Sequence, residues 1–194
     1  MRIGVLGGTF DPVHIGHLVA ATEAAYELEL DRLLLVVANE PWQKTGERTV
    51  TPAEERFAVV EAAVSDVDHL EASHIEIDRG GPSYTVDTIE ELRRREPDSE
   101  LFLVVGADVA GELDTWHRVE DLCGLVTLVI VDRGGVAASS DPQGWKVMRL
   151  RIPALEISSS DLRLRLQQGR PVDFLIPTPS IRCIRRLGLY SGAR

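Results

Sequence analysis

The sequence predicts an α/β chain built on a doubly wound, mainly parallel sheet, and three observations carry that reading. Short apolar runs alternate with amphipathic stretches along the 194 residues. Several of the runs, such as Leu33 to Ala38 and Val126 to Val131, are apolar almost throughout, as strands covered on both faces of a parallel sheet must be. Helix-start signals fall between the runs, so strands and helices take turns along the chain, the pattern of right-handed β–α–β crossovers.

In order, Arg2–Leu6 is the first predicted strand and Ile15–Leu28 the first helix, followed by a strand at Arg32–Ala38. Thr51-Pro52-Ala53-Glu54 then supplies a capping residue, a proline at the first helical position and a capping-box acid, and Phe57, Val60 and Val64 line one face of the helix. A strand is predicted over Leu70–Ile77. The next helix buries Val86, Ile89 and Leu92 and sets Glu90–Arg94 and Glu91–Arg95 at i,i+4 on its exposed side. Further strands are predicted at Leu101–Val105, Val126–Val131 and Trp145–Arg151. Two helices close the chain, one capped by Ser158 or Ser159 and ending near Gly169, the other starting at Thr178-Pro179 and carrying Ile181 and Ile184. With no repeat, low-complexity tract or linker, residues 1–194 are expected to form one domain, with 157–194 a helical C-terminal subregion. In doubly wound sheets ligands bind beyond the carboxyl ends of the strands, so the loops after the first, fourth and fifth strands are where a site belongs.

Composition narrows the classes. At 44% hydrophobic and 27% charged, the chain affords both a core and a solvated surface, which excludes a disordered or fibrous protein. Its longest apolar runs fall far short of the roughly 18 residues a membrane span needs. The start, MRIGVLGG, is too short and too glycine-broken for a signal peptide's apolar region. Cys123 and Cys183 form no Cys-x-x-Cys pair, so a reduced, cytoplasmic protein is expected. The net charge is −10, but Arg163 to Arg194 holds seven arginines against Asp173 alone. That stretch is +6 and the first 162 residues are −16. An acidic body disfavours nucleic acid and anionic membranes as general partners. The basic stretch reads as a solvated face or a local phosphate site.

The most informative segment is Gly7-Gly8-Thr9-Phe10-Asp11-Pro12-Val13-His14-Ile15-Gly16-His17, which leaves the first strand and enters the first helix. Two glycines let the backbone approach a ligand closely and present its N–H groups, as phosphate-binding turns do. His14 and His17 stand three apart on the first helical turn and therefore share a face. Gly16 between them removes a side chain that could obstruct a ligand, and the positive end of the helix dipole adds to an anion site. A tight turn with two incidental histidines is the bland alternative. A metal site is another, but no Cys or acid stands at a ligand spacing to complete it. The chain has no P-loop, no GxGxxG and no GxSxG elbow.

A second motif, Ile157-Ser158-Ser159-Ser160-Asp161-Leu162-Arg163, opens a helix whose free N–H groups and serine hydroxyls suit a phosphate, with Arg163 one turn further in. Alone it is equally a well-capped helix. Paired with the first motif it becomes half of a triphosphate clamp.

Together, GTFDPVHIGH near the start and ISSSDLR near the end resemble the nucleotidyltransferase superfamily that carries an HxGH signature. From Met1 to about Tyr190 the chain is most similar to the bacterial nicotinate-nucleotide adenylyltransferase family. The resemblance includes Gly80-Gly81-Pro82-Ser83-Tyr84-Thr85-Val86-Asp87-Thr88, Val105-Gly106-Ala107-Asp108 and Trp116. Pro41-Trp42-Gln43-Lys44 looks like an actinobacterial form of that family's Pro-x-His-Lys loop. Gln43, Ser160 for threonine, His117 for tyrosine and the missing proline after Arg133 depart from the family pattern.

The resemblance implies a Rossmann-like nucleotidyltransferase fold and a site of stated roles. Gly8, Thr9 and Phe10 would line the nucleotide phosphates, and His14 and His17 would contact them at the transfer centre. Lys44 would reach in from its loop. Ser158, Ser159 and Arg163 would hold the departing pyrophosphate, and Asp108 the ribose hydroxyls. Tyr84, Thr85, Trp116, His117 and Arg133 would shape the pocket of the acceptor. The implied reaction joins ATP, with Mg²⁺, to nicotinate mononucleotide, giving nicotinate adenine dinucleotide and pyrophosphate in NAD biosynthesis, with no covalent enzyme intermediate. An HxGH enzyme with another acceptor, phosphopantetheine or nicotinamide mononucleotide, is the nearest alternative. A non-catalytic nucleotide or RNA-binding module is a further one, weakened by the few aromatics (Phe174, Tyr190) in the arginine-rich stretch. Asn39 to Thr49, polar and carrying Lys44, is expected to act as a lid.

Overall fold

The structure is a computed structural model that describes residues 1–41, 49–132 and 141–192. Its six strands are β1 (Arg2–Gly8), β2 (Arg32–Val37), β3 (Leu70–Ser73), β4 (Glu100–Gly106), β5 (Thr127–Asp132) and β6 (Lys146–Arg151). They form one sheet in the order β3-β2-β1-β4-β5-β6, and every pairing is parallel. Chain order reverses between β1 and β4, so the crevice beyond Gly8 and Gly106 is the topological switch point, where such sheets bind ligands. The expected doubly wound parallel sheet is what the chain forms.

Strand period decides which helices cover which face. Leu33, Leu35, Val37, Phe102, Val104, Val129 and Val131 pack toward α1 (Ile15–Glu27), α2 (Ala53–Val64), α7 (Ser159–Gln167) and α8 (Thr178–Leu187). Ile3, Val5, Leu34, Val36, Leu101, Leu103, Leu128 and Ile130 pack toward α3 (Ile75–Arg79), α4 (Thr85–Arg95) and α6 (Val119–Cys123). A short α5 (Ala107–Ala110) follows β4 directly. Among the described residues no helix is long and apolar enough to cross a membrane.

Three local expectations are corrected. The run Leu70–Ile77 is a strand only to Ser73; from Ile75 the chain turns into α3, which buries Ile75 in the second core and turns Glu76 inward. Apolar residues two apart at Ile75 and Ile77 fit a strand and a single helical turn equally well. Thr51 does not cap α2: Pro52 occupies the N-cap position without a side-chain bond, so no capping box forms. On α4, Glu91 pairs with Arg95 as expected, whereas Arg94 bonds the Glu90 carbonyl and the Glu90 carboxylate goes to Arg118.

The residue on α2 that matters most is a cation on its apolar face. Arg56 shares that face with Val59, Val60 and Ala63 and is 1% exposed. Its guanidinium donates to the carbonyls of Thr51 (2.7 Å), Thr9 (2.7 Å), Ala38 (2.6 Å) and Asn39 (3.2 Å). The ends of β1 and β2 and the entry to α2 are thereby tied at one point. Arg56→Met should lower the unfolding free energy by about 3 kcal/mol or more, since buried carbonyls lose their donors. Arg56→Lys should recover only part of it, because one ammonium cannot reach all four oxygens. Urea denaturation midpoints of the two variants check this.

Candidate active site

A cavity of about 480 Å³ opens at the switch point. Gly7 to Asp11, Gly16 and His17 line one side; Gly106, Asp108 and Trp116 line another; Glu76, Ser83, Thr85 and Thr88 close a third. Ser159 reaches it from α7. All three strand ends singled out by the fold contribute, β5 through Val131.

The β1–α1 loop is shaped by where its carbonyls go. Ala38 N–H donates to the Gly8 carbonyl at 3.0 Å, and Arg56 takes the Thr9 carbonyl. In a trans peptide the N–H points opposite to the C=O, so the amides of Thr9 and Phe10 are turned away from β2 and from Arg56 respectively. Gly8 is required by close approach: a Cβ there would lie 2.9 Å from the Phe10 ring, which folds back over the strand end with φ +47°. The carbonyls of Asp11 and Pro12 are taken from the other end of the chain, by Arg163 Nη1 (2.6 Å) and Ser159 Oγ (2.9 Å). Ile15 N–H at the start of α1 donates to Leu175 O at 2.9 Å.

His14 and His17 share a face as their spacing requires, but they are not equivalent. Their rings stack with centroids 3.7 Å apart, and the Phe10 ring meets His17 edge-on at 5.0 Å. His14 is buried behind the stack; His17 lines the cavity. His14 N–H donates to His17 Nδ1 at 3.3 Å, which assigns the proton of the neutral imidazole to Nε2 and makes it a donor. Gly16 also lines the cavity, and a Cβ there would stand 3.2 Å from the His14 ring, so its bareness makes room for histidine as well as ligand.

On the α7 side, Ser158 caps the helix, accepting from Asp161 N–H at 3.1 Å, and does not line the cavity. Arg163 donates to Asp11 O and to the Ser160 hydroxyl (3.0 Å), which directs its guanidinium toward the loop. Of the remaining arginines on α8, Arg182, Arg185 and Arg186 are exposed, in line with a solvated face.

Across the cavity, Asp108 sits in the first turn of α5, whose N-terminus has no side-chain cap bond, so the carboxylate lines the cavity without serving as a helix cap. Trp116 Nε1 is buried and has no hydrogen-bond partner among the described residues. Tyr84 and His117 stack on each other at 4.3 Å outside the lining, while Thr85 lines it. Arg118, in the left-handed region at φ +51°, ties this segment to α4 through Asp87 and Glu90. Lys44, Gln43 and Arg133 lie outside the described residues, as does most of the expected lid. The base of that stretch is anchored, with Asn39 N–H donating to Ser83 Oγ at 2.8 Å and Ser83 N–H to Glu40 O at 3.0 Å.

Sequence reasoning missed Glu76, Ser83, Thr88 and Arg56. Glu76 is 7% exposed and accepts from the Thr88 hydroxyl at 2.6 Å. Burial pushes its carboxyl above the usual range, offset in part by bonds from Ser83 and Thr88 and by the charges of Arg79 and Arg56. Arg56 was legible, because it falls at i, i+3, i+4 and i+7 with Val59, Val60 and Ala63. Glu76 was not, since its segment reads as a strand. Among the described residues no group of three or more His, Cys, Asp or Glu is placed to hold a metal ion.

The sequence pattern of the cytidylyltransferase-like family matches residues 5–165. A probable nicotinate-nucleotide adenylyltransferase of Corynebacterium kroppenstedtii is 42% identical over 192 residues, 97% of this chain and 90% of that one. That of Streptomyces coelicolor is 42% identical over 189 residues, covering 96% of this chain and all of its own. The chain belongs to the cytidylyltransferase-like family, within its nicotinate-nucleotide adenylyltransferases. It is a nucleotidyltransferase. The fold agrees: a Plasmodium falciparum nicotinic acid mononucleotide adenylyltransferase complexed with NaAD superposes with a TM-score of 0.79 at 19% identity, over 97% of both chains. A Vibrio parahaemolyticus structure described as a putative nicotinate-nucleotide adenylyltransferase gives 0.70 at 19% identity, covering 99% of this chain and 96% of its own.

Two residues before Glu76, His74 joins α2 to α3. Its Nε2 meets Glu54 and its Nδ1 meets Asp78, each at 2.8 Å, with Phe57 edge-on at 4.6 Å. The Glu54 bond, with Asp78, holds its pKa above 6.5 against the opposing effect of burial. A raised folded pKa means the stabilisation is complete below the unfolded value and is lost as pH rises through the folded one. The thermal midpoint should therefore fall from pH 6 to pH 8 more steeply in the native chain than in His74→Gln, as calorimetry at matched ionic strength would record.

Proposed function

We propose that this chain transfers the adenylyl group of ATP to nicotinate mononucleotide, releasing pyrophosphate and forming nicotinate adenine dinucleotide for NAD biosynthesis. The observation that carries the reading is the cavity itself. A loop with two outward-turned amides and the His17 donor faces an indole across one continuous space, and the relatives of this chain are named for this reaction. In this reading the space at the switch point has two halves, an anion-binding side from β1–α1 and α7 and an aromatic side from the segments after β3 and β4.

The nucleophile in this reading is a phosphate monoester oxygen of nicotinate mononucleotide, attacking the α-phosphorus of ATP in line. One P–O bond forms, the bond from the α-phosphorus to the bridging oxygen breaks, and pyrophosphate leaves. A phosphate monoester has a second pKa of about 6, so it is largely ionised at pH 7 and needs no general base. The barrier is electrostatic, and positioning with charge stabilisation supplies the rate. The Thr9 and Phe10 amides and His17 Nε2–H are the groups that meet the phosphates, with Gly8 allowing the approach. His14 acts from behind by fixing the His17 ring. Ser159 and Arg163, with Ser158 capping their helix, complete the phosphate side from the C-terminal subregion, and Lys44 adds a cation from its loop. In this reading Mg²⁺ is supplied together with ATP as part of the substrate.

Asp108 suits ribose hydroxyls. Trp116 and Thr85 form the acceptor pocket, the indole stacking on the pyridine ring and its Nε1–H finding an acceptor in the ligand. Tyr84 and His117 act as a stacked wall behind that pocket, and Arg133 belongs beside the acceptor. A cytoplasmic setting is part of this proposal, supported by two free cysteines.

Pyrophosphate release from ATP and Mg²⁺, with nicotinate and nicotinamide mononucleotides compared at equal concentration, should show strong preference for nicotinate. Preference for nicotinamide would overturn the acceptor and keep the chemistry; silence with both would overturn the reaction. In the same assay His17→Ala should lower kcat by about 10²–10³, the usual cost of one charge-stabilising donor. A fall of less than about threefold would remove His17 from the transfer centre.

A further inference from the structure

The geometry points to Tyr190 as a positioning residue for adenylyl transfer: from the far end of the chain, its hydroxyl fixes the Asp11 carboxylate and so holds the phosphate loop in its working shape. Neither residue is given a role by the motifs or by the reading above, on which this inference rests. Tyr190 Oη donates to Asp11 Oδ1 at 2.7 Å across 179 positions of sequence. Asp11 is 1% exposed, and a carboxylate buried that deeply needs donors to stay ionised. Burial, and then the bond to Asp11, keep the Tyr190 hydroxyl protonated far above neutral pH, so it remains a donor throughout the working range.

The local chain is built to make this contact. α8 ends at Gly188 with φ +67°, and Leu189 N–H closes the turn on Ile184 O at 3.0 Å. Tyr190 then adopts φ +57°, a left-handed conformation that L residues avoid unless the surroundings enforce it. Ser191 Oγ locks the same turn on Gly188 O at 3.0 Å. The strained turn swings the ring back under the loop, where Thr51 also meets the hydroxyl and the Arg163 charge lies nearby. α8 in turn is pinned to α2, with Ser180 Oγ donating to Val59 O at 2.9 Å, so the anchor is rigid.

Asp11 lines the cavity beside Phe10, and its own carbonyl accepts from Arg163. Main-chain position is therefore set by Arg163 and side-chain position by Tyr190, on the same residue. Removing the hydroxyl takes one donor from the Asp11 carboxylate while the carbonyl bonds of the loop persist, so the carboxylate loses its fixed position. Binding groups stay in place, so the loss falls on the alignment of the transferring phosphate and not on affinity.

The test is Tyr190→Phe, which keeps the ring and removes one oxygen, alongside Asp11→Ala, which removes the acceptor, and the double variant. Tyr190→Phe should lower kcat about tenfold with KM for both substrates within about twofold, assayed well below a thermal midpoint that falls by about 3–10 °C. The double variant should be no slower than the worse single one by more than about twofold, because Asp11→Ala already removes the acceptor that the Tyr190 hydroxyl serves. Amide exchange over residues 9–17 should quicken in Tyr190→Phe without ligand, a readout that needs no turnover. A kcat within about twofold of native, or losses that multiply in the double variant, would overturn the role. If the native chain transfers no adenylyl group at all, the reaction assigned above fails. Exchange then decides this inference alone, quicker exchange keeping the anchor and unchanged exchange removing it.

Discussion

The architecture depends on how the carbonyls of one turn are disposed of. The chain leaves the ladder of β1 at Gly8, so carbonyls of the turn that follows must find donors outside the sheet. Gly8 is bonded by the Ala38 amide, Thr9 by Arg56, Asp11 by Arg163 and Pro12 by Ser159. The peptides are thereby oriented before any ligand arrives, with the Thr9 and Phe10 amides turned away from their neighbours' donors. Preorganised donors of this kind need no rearrangement at the moment of reaction.

Arg56 is the most demanding part of that arrangement. A guanidinium at 1% exposure is stable only with its fork filled, and here the acceptors come from three separate segments. The fork geometry also converts one side chain into a distance constraint between strand ends. Its charge lies close enough to be felt by Glu76, so a buried cation behind the β1–α1 loop acts on a buried carboxyl in the cavity wall. An anionic ligand with one phosphate-rich end has a preferred direction in such a field.

The C-terminal subregion contributes differently from what its motif suggests. ISSSDLR reads as a second phosphate cradle, yet Ser159, Ser160 and Arg163 are engaged with the first loop and with each other. The two motifs are joined directly, and ligand contact by α7 would be added to contacts that already shape the β1–α1 turn. α8, through Ser180 and the Tyr190 turn, fixes the same region from below.

The sequence by itself determined the sheet, the alternation of helices and the location of the site. Continuous apolar runs demand cover on both faces, and a Gly-Gly turn followed by histidines three apart can only be a strand-to-helix loop with both rings on one face. Tertiary structure alone decided which side chains face the cavity. That His17 lines it while His14 backs it, that Leu70–Ile77 breaks into α3 to bring Glu76 inward, and that Tyr190 closes on Asp11 all depend on contacts between residues far apart in sequence. Periodicity reports which face a residue occupies within its own element. It carries no information about what another element, 150 positions away, will place against that face.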